Sequence, residues 1–172
     1  MTRFPMTTSR TVVALTGGTL LIVAATLAVA LGAGPTPEAG LLPGVVAVVV
    51  CGAVALSVLW APRAVRLDGD ALAVERLAWS DVRIPLADIA SVEPGPPLEA
   101  FGGDVWRVAG NGGVMGFTGL FHVRGVGAVR CWATQLGAST VLVRRRTGRP
   151  VLLGVDDGRG LLEALRRRLQ AP

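Results

Sequence analysis

The sequence predicts a two-helix membrane hairpin followed by a small, mostly β domain that one C-terminal helix closes. Three observations carry this. Two long apolar runs fill the first third of the chain. The pattern then changes to short alternating segments separated by turn residues. The last dozen residues place leucines on one helical stripe.

The first run, residues 11–32 (TVVALTGGTLLIVAATLAVALG), has no ionisable group. At a rise of about 1.5 Å per residue it reaches about 30 Å, the thickness of a hydrocarbon core. Gly17 and Gly18 are tolerated in lipid and favour close helix contact. The second run, 41–60 (LLPGVVAVVVCGAVALSVLW), carries Pro43 near its start, where a missing N–H costs little, and closes on Trp60, a residue type enriched at the membrane interface. Arg3 and Arg10 precede the hairpin, Arg63 and Arg66 follow it, and the intervening AGPTPEAG has Glu38 as its only charge. The positive-inside rule then divides the chain into a cytoplasmic N-terminus (1–10), a first span (11–32), an external loop (33–40), a second span (41–62) and a cytoplasmic domain (63–172). A rival reading treats the first run as a signal peptide, with Ala28-Val29-Ala30 as an A-x-A cleavage site, although the run exceeds the usual length. Cys51 lies too deep, after too large a residue, for a lipoprotein site.

Within 63–172, strands are expected at 64–67, 71–77, 82–86, 88–93, 105–108, 128–134, 140–146 and 150–155. Asp68-Gly69-Asp70 and Thr147-Gly148 mark turns. The stretch from Pro94 to about Gly127 is rich in Gly and Pro, and only Val105-Trp106-Arg107-Val108 within it reads as a strand. Leu161, Leu162, Leu165 and Leu169 then form one apolar stripe, capped by Asp156 or Asp157, with Glu163 and Arg167 paired at i, i+4. These short antiparallel strands and a covering helix describe a small open barrel or sandwich.

Two stretches resemble a known superfamily. IPLADIASVE (84–93) is similar to the strand-to-strand passage of bacterial pleckstrin-homology-like (PH-like) domains. GGVMGFTGLFHVRGVGAVRCWAT (112–134) is similar to their Gly-rich stretch, with Trp132 where a tyrosine is expected. The resemblance covers 63–169 and implies the PH-like fold. Many such proteins begin with two membrane helices.

Composition narrows the function. The 172 residues are 51% hydrophobic and carry a net charge of +5, all of it from arginine against Asp and Glu. The domain's own excess of +4 is too small to suggest nucleic-acid binding and is compatible with docking near anionic lipid. Cys51 and Cys131 fall in a span and a strand, so no disulfide is expected. His122 is the only histidine, and its pairing with Cys131 as a nucleophile would need a thiol that alternation turns into the core. Residues 110–116 fail G-x-G-x-x-G because Met115 occupies the third glycine's place. Asp68, Asp70, Asp81 and Asp88 are turn residues. No catalytic residue, cofactor or metal is expected.

Two features remain as candidate contacts. Arg144 and Arg146 share a strand face, either as a solvated edge or as a site for acidic head groups; in eukaryotic PH domains, basic residues near strand ends hold phosphoinositides. Val114, Met115, Phe117, Leu120 and Phe121 make an apolar loop that touches lipid or a partner, or else packs on its own sheet. The leading expectation is a membrane-anchored, non-catalytic PH-like binding or scaffold module at the cell membrane, recognising a protein partner or anionic lipid, with self-association through a sheet edge. The alternative is an accessory subunit of a transporter or enzyme complex acting through the hairpin, against which stands the lack of any intramembrane charge.

Overall fold

The computed structural model describes residues 2–8, 10–32, 37–98, 103–112, 115–135 and 139–170. In chain order these form β1 (Thr2–Pro5), α1 (Arg10–Gly32), α2 (Pro37–Leu59), β2 (Pro62–Leu67), β3 (Ala71–Arg76), β4 (Val82–Pro85), a 3-10 turn (Leu86–Asp88), β5 (Ile89–Pro94), β6 (Val105–Gly112), β7 (Phe117–Val123), β8 (Gly127–Ala133), β9 (Thr140–Arg145), β10 (Val151–Gly154) and α3 (Gly158–Gln170). The strands make two sheets, β1-β2-β3-β4 and β5-β9-β10-β8-β7-β6. All neighbours are antiparallel except β8 and β10, which run parallel. The expected strands are present, but three features differ from the sequence reading. The N-terminus supplies a strand. The Gly-rich stretch folds into the β6–β7 hairpin. One strand pair is parallel.

The central strands of the six-stranded sheet are buried on both faces, which explains their dense apolar runs. In β9, Val141 and Val143 point to one core while Leu142 points to another; in β10, Val151 and Leu153 oppose Leu152 in the same way. The first core lies between the two sheets, where Val65, Leu72, Val74 and Ile84 meet these valines and the α3 leucines Leu161, Leu162 and Leu165. The second lies on the sheet's far face, where Phe117, Phe121, Val129 and Cys131 pack with Leu98 and with Val12 from the start of α1. Asp157 caps α3 by accepting the Gly160 N–H at 2.8 Å. Leu169, at the end of the stripe, is partly buried against the first core.

Asp156 has a different task. Its carboxylate accepts the Thr7 N–H at 2.9 Å, the Thr7 hydroxyl at 2.6 Å and the Gln135 amide at 2.6 Å. These bonds fasten the N-terminal arm, which the sequence reading left without structure. β1 pairs with β2 (Thr2↔Leu67 to Pro5↔Ala64), Arg3 bonds Glu75 on β3 at 2.7 Å, and Phe4 and Met6 enter the first core.

The two helices that follow contact each other. α2 starts at Pro37, within the segment expected as a loop, and ends at Leu59 rather than 62; residues 33–36 of that loop lie outside the described residues. Among the described residues, one helix is long and apolar enough to cross a membrane: α1, over Val12–Val29. α2 is apolar over Gly44–Leu59. Leu21, Ile22, Val29 and Val48 are each about 70% exposed, so these helices are not the packed core of a water-soluble domain. Their hydroxyls bond back to carbonyls four residues earlier, as Thr19 does to Leu15 and Ser57 to Ala53, leaving those polar side chains satisfied within the helix.

Candidate functional site

A cavity of about 610 Å³ opens where the two sheets diverge against the end of α2. Its helical wall is made by Ala53, Leu56, Ser57 and Trp60. Their i, i+3, i+4, i+7 spacing puts them on one face of α2. The opposite wall is β-sheet. Arg130 and Trp132, two apart on β8, share a face, and their register partners on β7 are Leu120 and Thr118. Arg76 at the end of β3 and Arg149 in the β9–β10 connection complete the rim.

Three arginines therefore line one hollow, and among the described residues none of the three makes an ion pair. Arg130 lies 5.8 Å from the Trp132 ring centroid, a cation–π contact that stations it over the apolar wall. Arg76 donates to the Ser80 carbonyl at 2.8 Å through Nε. Burial pushes the Arg76 pKa below its ordinary value; Arg130's like charge adds to that and the Asp81 carboxylate opposes it. Asp81 is itself shared with Arg66 at 3.6 Å and lies outside the lining. At the mouth, Trp60 meets Trp79 edge-on with centroids 6.0 Å apart, each ring about half exposed. The result is an electropositive pocket with an aromatic lip and an apolar helical wall.

The residues singled out from sequence are dispersed. Arg144 bonds Glu93 on β5 at 2.7 Å, and β9 ends at Arg145, which bonds Asp88. Arg146 lies beyond the strand, exposed, with its backbone N–H on the Asp88 carbonyl. The strand face expected to present Arg144 and Arg146 together is therefore cut short. Of the apolar loop, Phe117 and Phe121 are core residues on β7, which corrects their assignment as surface contacts: strand alternation turns them inward. Met115 is half-buried at positive φ (56°), donates its N–H to the Thr16 hydroxyl of α1 at 3.0 Å, and lines a hollow of about 400 Å³ with Arg3 and Arg63. Val114 lies outside the described residues. Of the described members of that group, Leu120 alone reaches the cavity.

Cys131 is fully buried, and burial pushes its thiol far above the usual range. His122 stacks on Trp106 at 4.3 Å. Among the described residues no group of three or more His, Cys, Asp or Glu side chains could hold a metal ion.

The model of the bacterial PH domain family matches residues 63–169, more than half of the chain. The chain belongs to the bacterial PH domain family. No curated protein and no solved structure matches it. The match begins within β2 and ends within α3, so the PH domain comprises both sheets except β1, and the cavity's basic residues all belong to it. β1 and the α2 wall are what this chain adds to the PH domain. Sequence reasoning missed Arg76, Arg130 and Arg149 because they are widely separated in the chain. The one local signal was the alternation of Arg130 with Trp132 on a strand.

Proposed function

We propose that this PH domain protein is a membrane-anchored, non-catalytic binding module. In this reading α1 and α2 both cross the cell membrane, both ends of the hairpin are cytoplasmic, and the domain recognises a protein partner or anionic lipid at the membrane face. One observation carries the topology: β1, before α1, is hydrogen-bonded to β2, after α2. A chain whose two flanking strands pair side by side must cross the bilayer an even number of times. If α1 spans, α2 spans too. Arg3, Arg10, Arg63 and Arg66 then share one side, which the positive-inside rule makes cytoplasmic. The same pairing argues against a cleaved signal peptide, since cleavage would remove Phe4 and Met6 from the core.

A phosphatase active only outside the cytoplasm, fused after Pro172, is expected to stay silent, while a cysteine placed at Glu38 is expected to react with an impermeant maleimide added to intact cells. An active C-terminal fusion would overturn the topology.

A further inference from the structure

The position of the cavity along α2 says what could enter it. Trp60 and Ala53 both line it and are seven residues apart, about 10 Å along the helix axis. If Trp60 marks the interface, as its exposed pair with Trp79 favours, the helical wall runs from headgroup level into the acyl layer. Charge and apolar surface lie on different walls: the domain side carries Arg76, Arg130 and Arg149, and the α2 side farther from the domain junction is Ala53 and Leu56. Leu56 is 54% exposed although it faces a cavity, so that wall is not covered by the protein itself. Among the described residues the lining contains no Asp or Glu. Three cations lining one hollow repel one another, and the Arg130 charge adds to the burial that lowers the Arg76 pKa while the Asp81 carboxylate opposes it. An anion would relieve this. A volume of about 610 Å³ falls in the range of small-ligand pockets, about 300–1,000 Å³.

We propose that this cavity holds the phosphate headgroup of one anionic membrane lipid, between Arg76, Arg130 and Arg149, with an acyl chain lying against Ala53 and Leu56. The proposal rests on the membrane-anchored reading and names its ligand class. Guanidinium forks suit phosphate oxygens, and the α2 face supplies the apolar strip that a free phosphate would not use.

The test uses the full chain in a neutral detergent, with native mass spectrometry counting bound ligand. Dioctanoyl phosphatidylglycerol, dioctanoyl phosphatidylcholine and glycerol 3-phosphate are titrated separately. The expected result is one tightly bound phosphatidylglycerol, with phosphatidylcholine and glycerol 3-phosphate each at least about tenfold weaker. Arg130→Gln with Arg149→Gln should weaken phosphatidylglycerol by about thirtyfold, from two interfacial arginines. Both side chains are exposed and, among the described residues, in no ion pair, so the fold should survive, and an unchanged circular dichroism spectrum checks this. Equal binding of the two lipids, or an unaffected double variant, would overturn the site. Glycerol 3-phosphate binding as tightly as the lipid would overturn the acyl contact and leave a soluble phosphate site instead. Loss in Arg144→Gln/Arg146→Gln but not in Arg130→Gln/Arg149→Gln would also overturn it. Alkaline carbonate releasing the chain from membranes would fail the anchoring itself; retention with unselective binding fails the site alone.

Discussion

Phe4→Ala separates a structural N-terminal strand from a loose tail. Phe4 is 7% exposed and packs in the core between the sheets, carried there by a strand of only four residues. Truncating a buried Phe typically costs about 3–5 kcal/mol, transfer and cavity together. β1 is an edge strand, so its neighbours can partly close the gap, and the lower end, about 3 kcal/mol, is expected. The loss should be local before it is global. β1 covers one edge of β2, and the arm's further ties include the Thr7–Asp156 bonds, the Arg3–Glu75 pair, the Met6 N–H on the Arg63 carbonyl, the Asp156 N–H on the Pro5 carbonyl and the Thr134 hydroxyl on the Thr7 carbonyl, each individually modest. Weakening the strand by about 3 kcal/mol raises its undocked population by about 150-fold. Hydrogen exchange of the full chain in detergent, read on the peptide containing Pro62–Leu67, should accelerate by a comparable factor if β2 amides exchange through β1 undocking. Thr2→Ala, exposed, should change nothing. Exchange in Phe4→Ala within threefold of wild type would refute the strand, and with it the parity argument for two crossings.

The remaining expectations follow from single contacts. Leu165→Ala should cost about 2–5 kcal/mol in a guanidinium titration, since Leu165 is fully buried between α3 and the sheets; a loss below about 0.5 kcal/mol would make α3 detachable. The Thr147 hydroxyl and then the Arg145 guanidinium hold the Asp88 carboxyl below its usual range. Its contribution is therefore complete above the unfolded value of about 3.9 and is lost as pH falls through the lower folded value. Asp88→Asn should melt lower at pH 7 and show a flatter acid limb below pH about 4, and an unchanged limb would contradict the assignment. Gly119→Ala should unpair β6 from β7, because a Cβ there would meet the Ala109 carbonyl oxygen at 2.4 Å and φ is 134°; unchanged exchange of β6 amides would refute this. Arg144→Ala with Arg146→Ala should alter stability by less than about 1 kcal/mol, since the Glu93 pair is about 40% exposed on both sides.

What the sequence revealed was local. The β9–β10 hairpin and α3 are legible because alternation, a Thr-Gly turn, a capping Asp and a leucine stripe all lie within about thirty residues. β1 is illegible for the opposite reason. TRFP is short, contains a proline, and meets its partner only after the hairpin, so nothing in its own pattern signals a strand. β7 was hidden by composition: FTGLFHV contains a glycine that reads as a loop, yet Gly119 is there because its backbone meets Gly110 of β6 too closely for a side chain. The same locality governs the site. Arg144-Arg145-Arg146 stands out in the sequence, but strand pairing sets Glu93 and Asp88 against two of the three. The converging arginines are one per segment, and only the meeting of β3, β8 and the β9–β10 connection gathers them.

The attachment of the domain to its helices sets how a ligand could reach that site. Only Trp60 and Ala61 separate α2 from β2, and Ala61 is buried. The junction is bonded across: the Leu77 N–H reaches the Ala61 carbonyl at 3.0 Å, and the Met6 N–H reaches the Arg63 carbonyl at 2.9 Å. Val12 is in the domain core, and Thr16 accepts from Met115. A flexible tether would let a domain sweep a volume and raise its effective concentration for soluble partners. Here three hydrogen bonds and the packed Val12 side chain hold the cavity against α2, and in the membrane-anchored reading what it samples is the layer beside that helix. A ligand that diffuses within the layer meets the mouth repeatedly at constant depth, while one arriving from solution must pass the Trp60–Trp79 lip. The rigidity of the junction therefore favours a membrane-borne amphiphile over a soluble anion of the same charge.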